Sequence, residues 1–169
     1  MAKKTITLAL FLGIVAAISG IAIGATNELT KDIIAETAEK QEKANLEQMY
    51  PGANFTIVDY DDDLDIEGAY KTDDGHYIIK VGGYGYSSTE IICLVGFDED
   101  LTIDSVIALQ QQETKGFGSR VFDNLDSLYV GKTINEKVDS LSGATVTSKA
   151  MKKMMSAAQN AVKTINWGN

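Results

Sequence analysis

Four hydroxyl side chains crowd the start of the last helical pattern in this sequence. In D-S-L-S-G-A-T-V-T-S, Asp139–Ser148, the residues Ser142, Thr145, Thr147 and Ser148 surround Gly143 and Ala144. Two chemistries suit such a stretch. Thr145 or Thr147 can cap the helix, a side-chain oxygen accepting an amide proton of the first turn. A cap needs one hydroxyl, however, and four surround Gly143 and Ala144. The other chemistry is phosphate binding, because free N–H groups and the positive end of the helix dipole favour an anion there. A threonine oxygen can even carry the phosphate covalently. Its hydroxyl is a poor nucleophile without an activating base, so a separate enzyme would have to make that bond.

Other candidates are weaker. G-G-Y-G-Y at 82–86 reads as a turn, or as a place where backbone approaches a flat ligand with Tyr84 or Tyr86 over a ring face. It lacks the third glycine and the βαβ setting of a dinucleotide fingerprint. Q-E-T-K-G-F-G-S-R at 112–120 is a second glycine-rich loop, in which Gly116 and Gly118 can expose backbone N–H groups. The acidic run Asp59–Asp65 has acids at EF-hand positions 1, 3 and 5, but Leu64 replaces the turn glycine and Tyr70 the bidentate glutamate. It reads as a solvated loop. His76 is the only histidine and no G-x-S-x-G elbow exists, so hydrolase chemistry has little support and His76 reads as an ordinary surface residue. Cys93, the only cysteine, lies in the apolar run I-I-C-L-V and reads as a buried small hydrophobe. No Cys/His cluster has metal-ligand spacing, so no metal is expected.

These residues need elements to position them. Asn54 to about Gln112 reads mostly as strand: N-F-T-I-V-D-Y alternates, D-G-H-Y-I-I-K-V follows a D-D-G turn, and E-I-I-C-L-V-G-F and I-D-S-V-I-A-L-Q flank the turn F-D-E-D-L. A short helix is expected over Phe122–Val130. Lys149 to Ile165 puts Met151, Met154, Met155, Ala158, Val162 and Ile165 on one helical face. Strands followed by helices imply an α+β domain with an antiparallel sheet and flanking helices.

The N-terminal part is different. Thr5–Asn27 is uncharged for 23 residues, about 34 Å of helix against a hydrocarbon core of about 30 Å. Lys3 and Lys4 precede it and Glu28 follows, which puts the N-terminus in the cytoplasm and the remainder outside. A cleaved signal peptide is the rival, though the run exceeds the usual apolar length and I-G-A at 23–25 is a poor cleavage site. Asn27–Met49 reads as a helical stalk with a thin apolar stripe, ended by Tyr50-Pro51-Gly52. From Glu28 onward 13 basic residues face 24 acidic ones, a formal −11 that disfavours nucleic acid.

D-S-L-S-G-A-T resembles the flavinylation motif D-x-x-[ST]-G-A-T of proteins that carry FMN on threonine through a phosphoester. G-Y-G-Y before the strand I-I-C-L-V-G-F-D, the loop E-T-K-G-F-G, and the start L-T-K-D-I-I-A-E…Y-P-G-A are similar to the RnfG family, the G subunit of the Rnf ion-translocating ferredoxin:NAD oxidoreductase. The C subunit of the sodium-pumping NADH:quinone reductase is related. Nearly the whole chain shares the resemblance.

The resemblance implies covalent FMN on Thr145, with Asp139, Ser142, Gly143 and Ala144 read by a flavin transferase that moves FMN from FAD. It places Glu113, Thr114, Gly116 and Gly118 beside the flavin, with Tyr84, Thr147 and Ser148 as further cofactor-binding candidates. Lys115 and Phe117 depart from the proline and leucine usual in that loop, and losing the proline relaxes it. Implied domains are 1–27 (cytoplasmic N-terminus and anchor), 28–49 (stalk) and 50–169 (extracytoplasmic FMN-binding domain). The chain would be a single-pass membrane phosphoprotein and electron-transfer subunit, not catalytic alone, with other Rnf subunits as partners. The alternatives are a stand-alone extracytoplasmic flavoprotein carrier and a non-redox anchored binding module.

Overall fold

The computed structural model describes residues 2–133, 136 and 138–168. Met1 and Asn169, the ends of the first and last expected domains, lie outside the described residues. The chain divides into two compact units, Met1–Ala44 and Asn45–Asn169.

The first unit is helix. A single helix, α1, runs Ala2–Met49. Its apolar residues from Ile6 to Ile23 are exposed. The segment is long and apolar enough to cross a membrane. Farther on, Lys31 pairs with Glu28 and Lys40 with Glu36, both at 2.7 Å, in the i,i+3 and i,i+4 spacing that supports a solvated helix.

The second unit is α+β. Five strands form an antiparallel meander in sequence order: β1 (Phe55–Ile57), β2 (Gly68–Thr72), β3 (Tyr77–Tyr84), β4 (Glu90–Phe97) and β5 (Ile103–Gln110). The sheet has two apolar faces because its side chains alternate. Ile79, Val81, Cys93 and Val95 face one core, Ile78 and Leu94 the other. Helices α2 (Ser119–Phe122), α3 (Leu125–Tyr129) and α4 (Thr145–Thr164) follow. Met151, Met154, Met155, Ala158 and Val162 of α4 are buried in the first core. Leu46 and Met49, the last turn of α1, are buried in the second with Tyr70.

Three expectations are corrected. The last helix begins at Thr145, four residues before Lys149, so the hydroxyl-rich stretch is its first turn and the turn before it. Gly82 to Tyr84, read as the start of a turn, are the end of β3. His76 is not an ordinary surface residue: it is half-buried, its ring centroid lies 4.4 Å from that of Tyr50, and its Nδ1 lies 2.7 Å from Asp104 Oδ2. Tyr50 donates a short hydrogen bond to the same carboxylate. Burial, then that bond, raises the Tyr50 phenol far above its ordinary pKa. Cys93 is buried, and desolvation, with the Glu67 charge second, pushes its thiol up to about 12.

Candidate functional site

Helix α4 starts without a side-chain cap. Its N-cap is Ala144, which is buried, and among the described residues no side chain bonds the first-turn amides. The four hydroxyls divide between two tasks. Ser148 is buried, and its Oγ accepts the Leu141 N–H at 3.2 Å, closing the turn ahead of the helix. Thr147 is also buried, and its Oγ1 donates to Glu113 Oε2 at 2.5 Å. Ser142 and Thr145 stay exposed, and neither hydroxyl has a hydrogen bond among the described residues. The capping role is therefore corrected for both threonines. Gly143 reverses the chain at φ +82°, a conformation that glycine adopts without strain.

A cavity of about 460 Å³ opens here. Three elements line it: Tyr86 from the loop after β3, Thr114, Phe117 and Gly118 from the loop after β5, and residues 143–147. Tyr86, Phe117 and Val146 are exposed large side chains around this one opening. Exposed apolar groups gathered at a concavity mark a binding site. The loop after β5 is a tight turn, in which Gly116 takes φ +79°, Thr114 O accepts the Phe117 N–H at 3.1 Å, and Ser119 Oγ accepts the Gly116 N–H at 2.9 Å. Arg120, the only arginine, donates from Nη1 to the Ser142 carbonyl at 3.2 Å.

Of the candidate residues, Thr114, Gly118, Gly143, Ala144, Thr145 and Thr147 line this cavity together. Glu113 does not line it. Its buried carboxylate accepts from Tyr86 N at 3.2 Å and Ser87 N at 2.9 Å as well as from Thr147. Gly116 sits in the loop's turn, and Ser142 and Ser148 flank the opening segment. Tyr84 lines a different cavity with Glu90, Lys153 and Met154. Asp139 lines a third, with Lys132 and Lys152. Phe117 and Val146 are lining residues that the sequence pattern does not single out for binding. Their signal is an apolar side chain inside a glycine- or threonine-rich loop that has no core to reach.

The arrangement offers a free hydroxyl and uncapped amides to an anion, and an apolar rim to a flat ring. FMN has both parts, a phosphate and an isoalloxazine, and the residues present fit it.

Comparison with known proteins agrees with this geometry. The family described as FMN-binding domain matches residues 85–160, which include both loops and most of α4. The family described as RnfG N-terminal region matches residues 1–49, the span of α1. The chain is also 28% identical to the G subunit of an ion-translocating oxidoreductase complex from Photorhabdus laumondii subsp. laumondii. That alignment covers 89% of this chain and 85% of that protein.

Proposed function

Because the chain belongs to the RnfG family, we propose that it is a membrane-anchored electron-transfer subunit of an Rnf-type ion-translocating complex, with FMN held covalently on Thr145. One observation carries the covalent reading. Thr145 is the first residue of an uncapped helix, its hydroxyl is free, and it opens into the apolar-rimmed cavity. Thr147, two residues on, is 1% exposed and its hydroxyl is committed to Glu113.

In attachment, the bond between Thr145 Oγ1 and phosphorus forms and the pyrophosphate bond of FAD breaks. AMP leaves, and the hydroxyl proton passes to a base on the flavin transferase. The amides of the first turn of α4 would then face the phosphoryl oxygens, an arrangement the helix dipole favours. Bound FMN supplies the one- and two-electron chemistry, and the protein supplies position and environment. Tyr86, Phe117 and Val146 would cover apolar ring surface. A tether through phosphate makes the effective flavin concentration intramolecular, so an exported protein does not lose it by dilution. Asp139 and Ser142, outside the cavity or at its edge, remain for recognition by the transferase. Lys3 and Lys4 before the apolar run orient the N-terminus to the cytoplasm and residues from Glu28 onward to the other side. Electrons would pass to and from other membrane subunits of the complex.

The test is a denaturing gel of protein co-produced with a flavin transferase. The native chain is expected to give a fluorescent band, and Thr145→Ala none. A fluorescent Thr145→Ala band, or a dark native band, overturns the covalent reading.

A further inference from the structure

Glu113 is a buried carboxylate that the flavin chemistry does not use. It lies 7% exposed beneath the cavity and does not line it. All three elements that do line the cavity meet at its two oxygens. The loop after β3 reaches it through the amides of Tyr86 and Ser87, and the first turn of α4 through the Thr147 hydroxyl. The loop after β5 carries Glu113 itself. Two glycines make the approach possible. A Cβ at Gly85 would lie 2.5 Å from Glu113 Oε1, and one at Gly118 would strike both Glu113 Oε2 and Thr147 Oγ1. Neither carboxylate oxygen is idle, and all three partners are donors.

We propose that Glu113 is the positioning residue that sets where the Thr145 hydroxyl is offered to the flavin transferase, acting through Thr147. The inference rests on Thr145 as the attachment site. Thr147 follows Thr145 by two residues on one helical turn, so anchoring the Thr147 side chain fixes the orientation of that turn. The same carboxylate fixes Tyr86, so the rim and the attachment point are set in one register. This accounts for the second threonine of T-V-T, which neither caps the helix nor stays free to carry a ligand. Glutamine cannot replace Glu113. It offers a single acceptor oxygen, and its NH₂ group would face at least one of the two backbone donors.

The test uses the purified full-length chain without flavin, a flavin transferase and FAD, and reads two quantities. One is the initial rate of flavin labelling. The other is amide hydrogen exchange at 86–87 and 148–150 before labelling, which needs no flavin. Glu113→Gln and Thr147→Val are each expected to slow labelling by about tenfold or more, since a misplaced reacting group is costly. Exchange at both segments should rise. Thr147→Ser keeps the donor and should label near the native rate. The double variant Glu113→Ala/Thr147→Val should label no more slowly than Glu113→Ala alone, because Ala already removes the bond that Val removes. Native-like labelling in both single variants while exchange rises would make Glu113 merely structural and overturn the proposal. Fully additive slowing would overturn it too. A native chain that takes no flavin removes the attachment reading itself, a result distinct from native labelling with indifferent variants.

Discussion

The two ends of the sheet use one device and put it to different use. At one end the Asp104 carboxylate, in β5, accepts from the hydroxyl of Tyr50 and lies against Nδ1 of His76, just before β3. At the other end the Glu113 carboxylate, three residues past β5, accepts from the hydroxyl of Thr147 and from the N–H of Tyr86, two past β3. The ends are about 25 Å apart along an eight-residue strand. Each joins a carboxylate to a hydroxyl, and each has a glycine facing that bond. A Cβ at Gly96 would strike Tyr50 Oη and Asp104 Oδ1, just as one at Gly118 would strike Thr147 and Glu113. The difference is what surrounds the bond. The Tyr50 and His76 rings fill the first end. At the second end Gly118, Gly143, Ala144 and Thr145 leave a cavity of about 460 Å³. The same hydrogen-bonding device locks a chain junction where large rings close over it. Where small residues keep the space open, it leaves the Thr145 hydroxyl exposed beside a cavity.

The largest effects should come from the two glycines. Gly96→Ala and Gly118→Ala each force a methyl group into a carboxylate–hydroxyl bond and should each cost about 3 kcal/mol in urea unfolding. Only Gly118→Ala should also abolish flavin loading of the folded fraction. Equal loss of loading from Gly96→Ala would show that the two ends are not independent. Removing one hydroxyl is gentler. Tyr50→Phe and Thr147→Val should each cost about 1–2 kcal/mol, and only the second should slow loading.

Alkaline pH sharpens the contrast further. Burial raises the Tyr50 phenol, and pushes the Tyr129 phenol and the Cys93 thiol each up to about 12, from ordinary values of 10 and 9. Below those ordinary values both folded and unfolded chains hold these protons, and stability does not depend on them. Above them the unfolded chain ionises first, so stability falls as pH rises from about 9 toward 12. Each group contributes a slope of about 1.4 kcal/mol per pH unit while only the unfolded chain is ionised. Tyr50→Phe should flatten part of that fall in pH-dependent urea titrations, while Thr147→Val leaves it intact. The smallest effect should be Arg120→Ala. It removes one exposed bond to the Ser142 carbonyl and should change urea stability by no more than about 0.5 kcal/mol.

Much of this comparison is legible in the residues. Alternation and apolar runs mark β4 and β5 at their observed bounds and the antiparallel α+β class. The methionine face of α4 is visible in its spacing. Strand β2 is not, because G-A-Y-K-T is short and its strand form comes from pairing with β1 and β3. The true start of α4 is hidden because Thr145, Val146 and Thr147 are β-branched and favour other conformations. Tertiary contacts override that preference, with Ala144, Thr147 and Ser148 all buried. The motif singles out residues 142–145, but only the fold divides the hydroxyls into two that are committed and two that are free. His76 carries no local sign of Asp104, which is 28 residues away in the chain and joined to it only by strand pairing.

The most direct test is to locate the flavin. Trypsin should release Val138–Lys149 as one peptide, which holds Ser140, Ser142, Thr145, Thr147 and Ser148 together. Fragmentation mass spectrometry of that peptide, from protein loaded by a flavin transferase, is expected to place the FMN phosphoester on Thr145. Flavin on Thr147, or on none of these hydroxyls, would contradict the account.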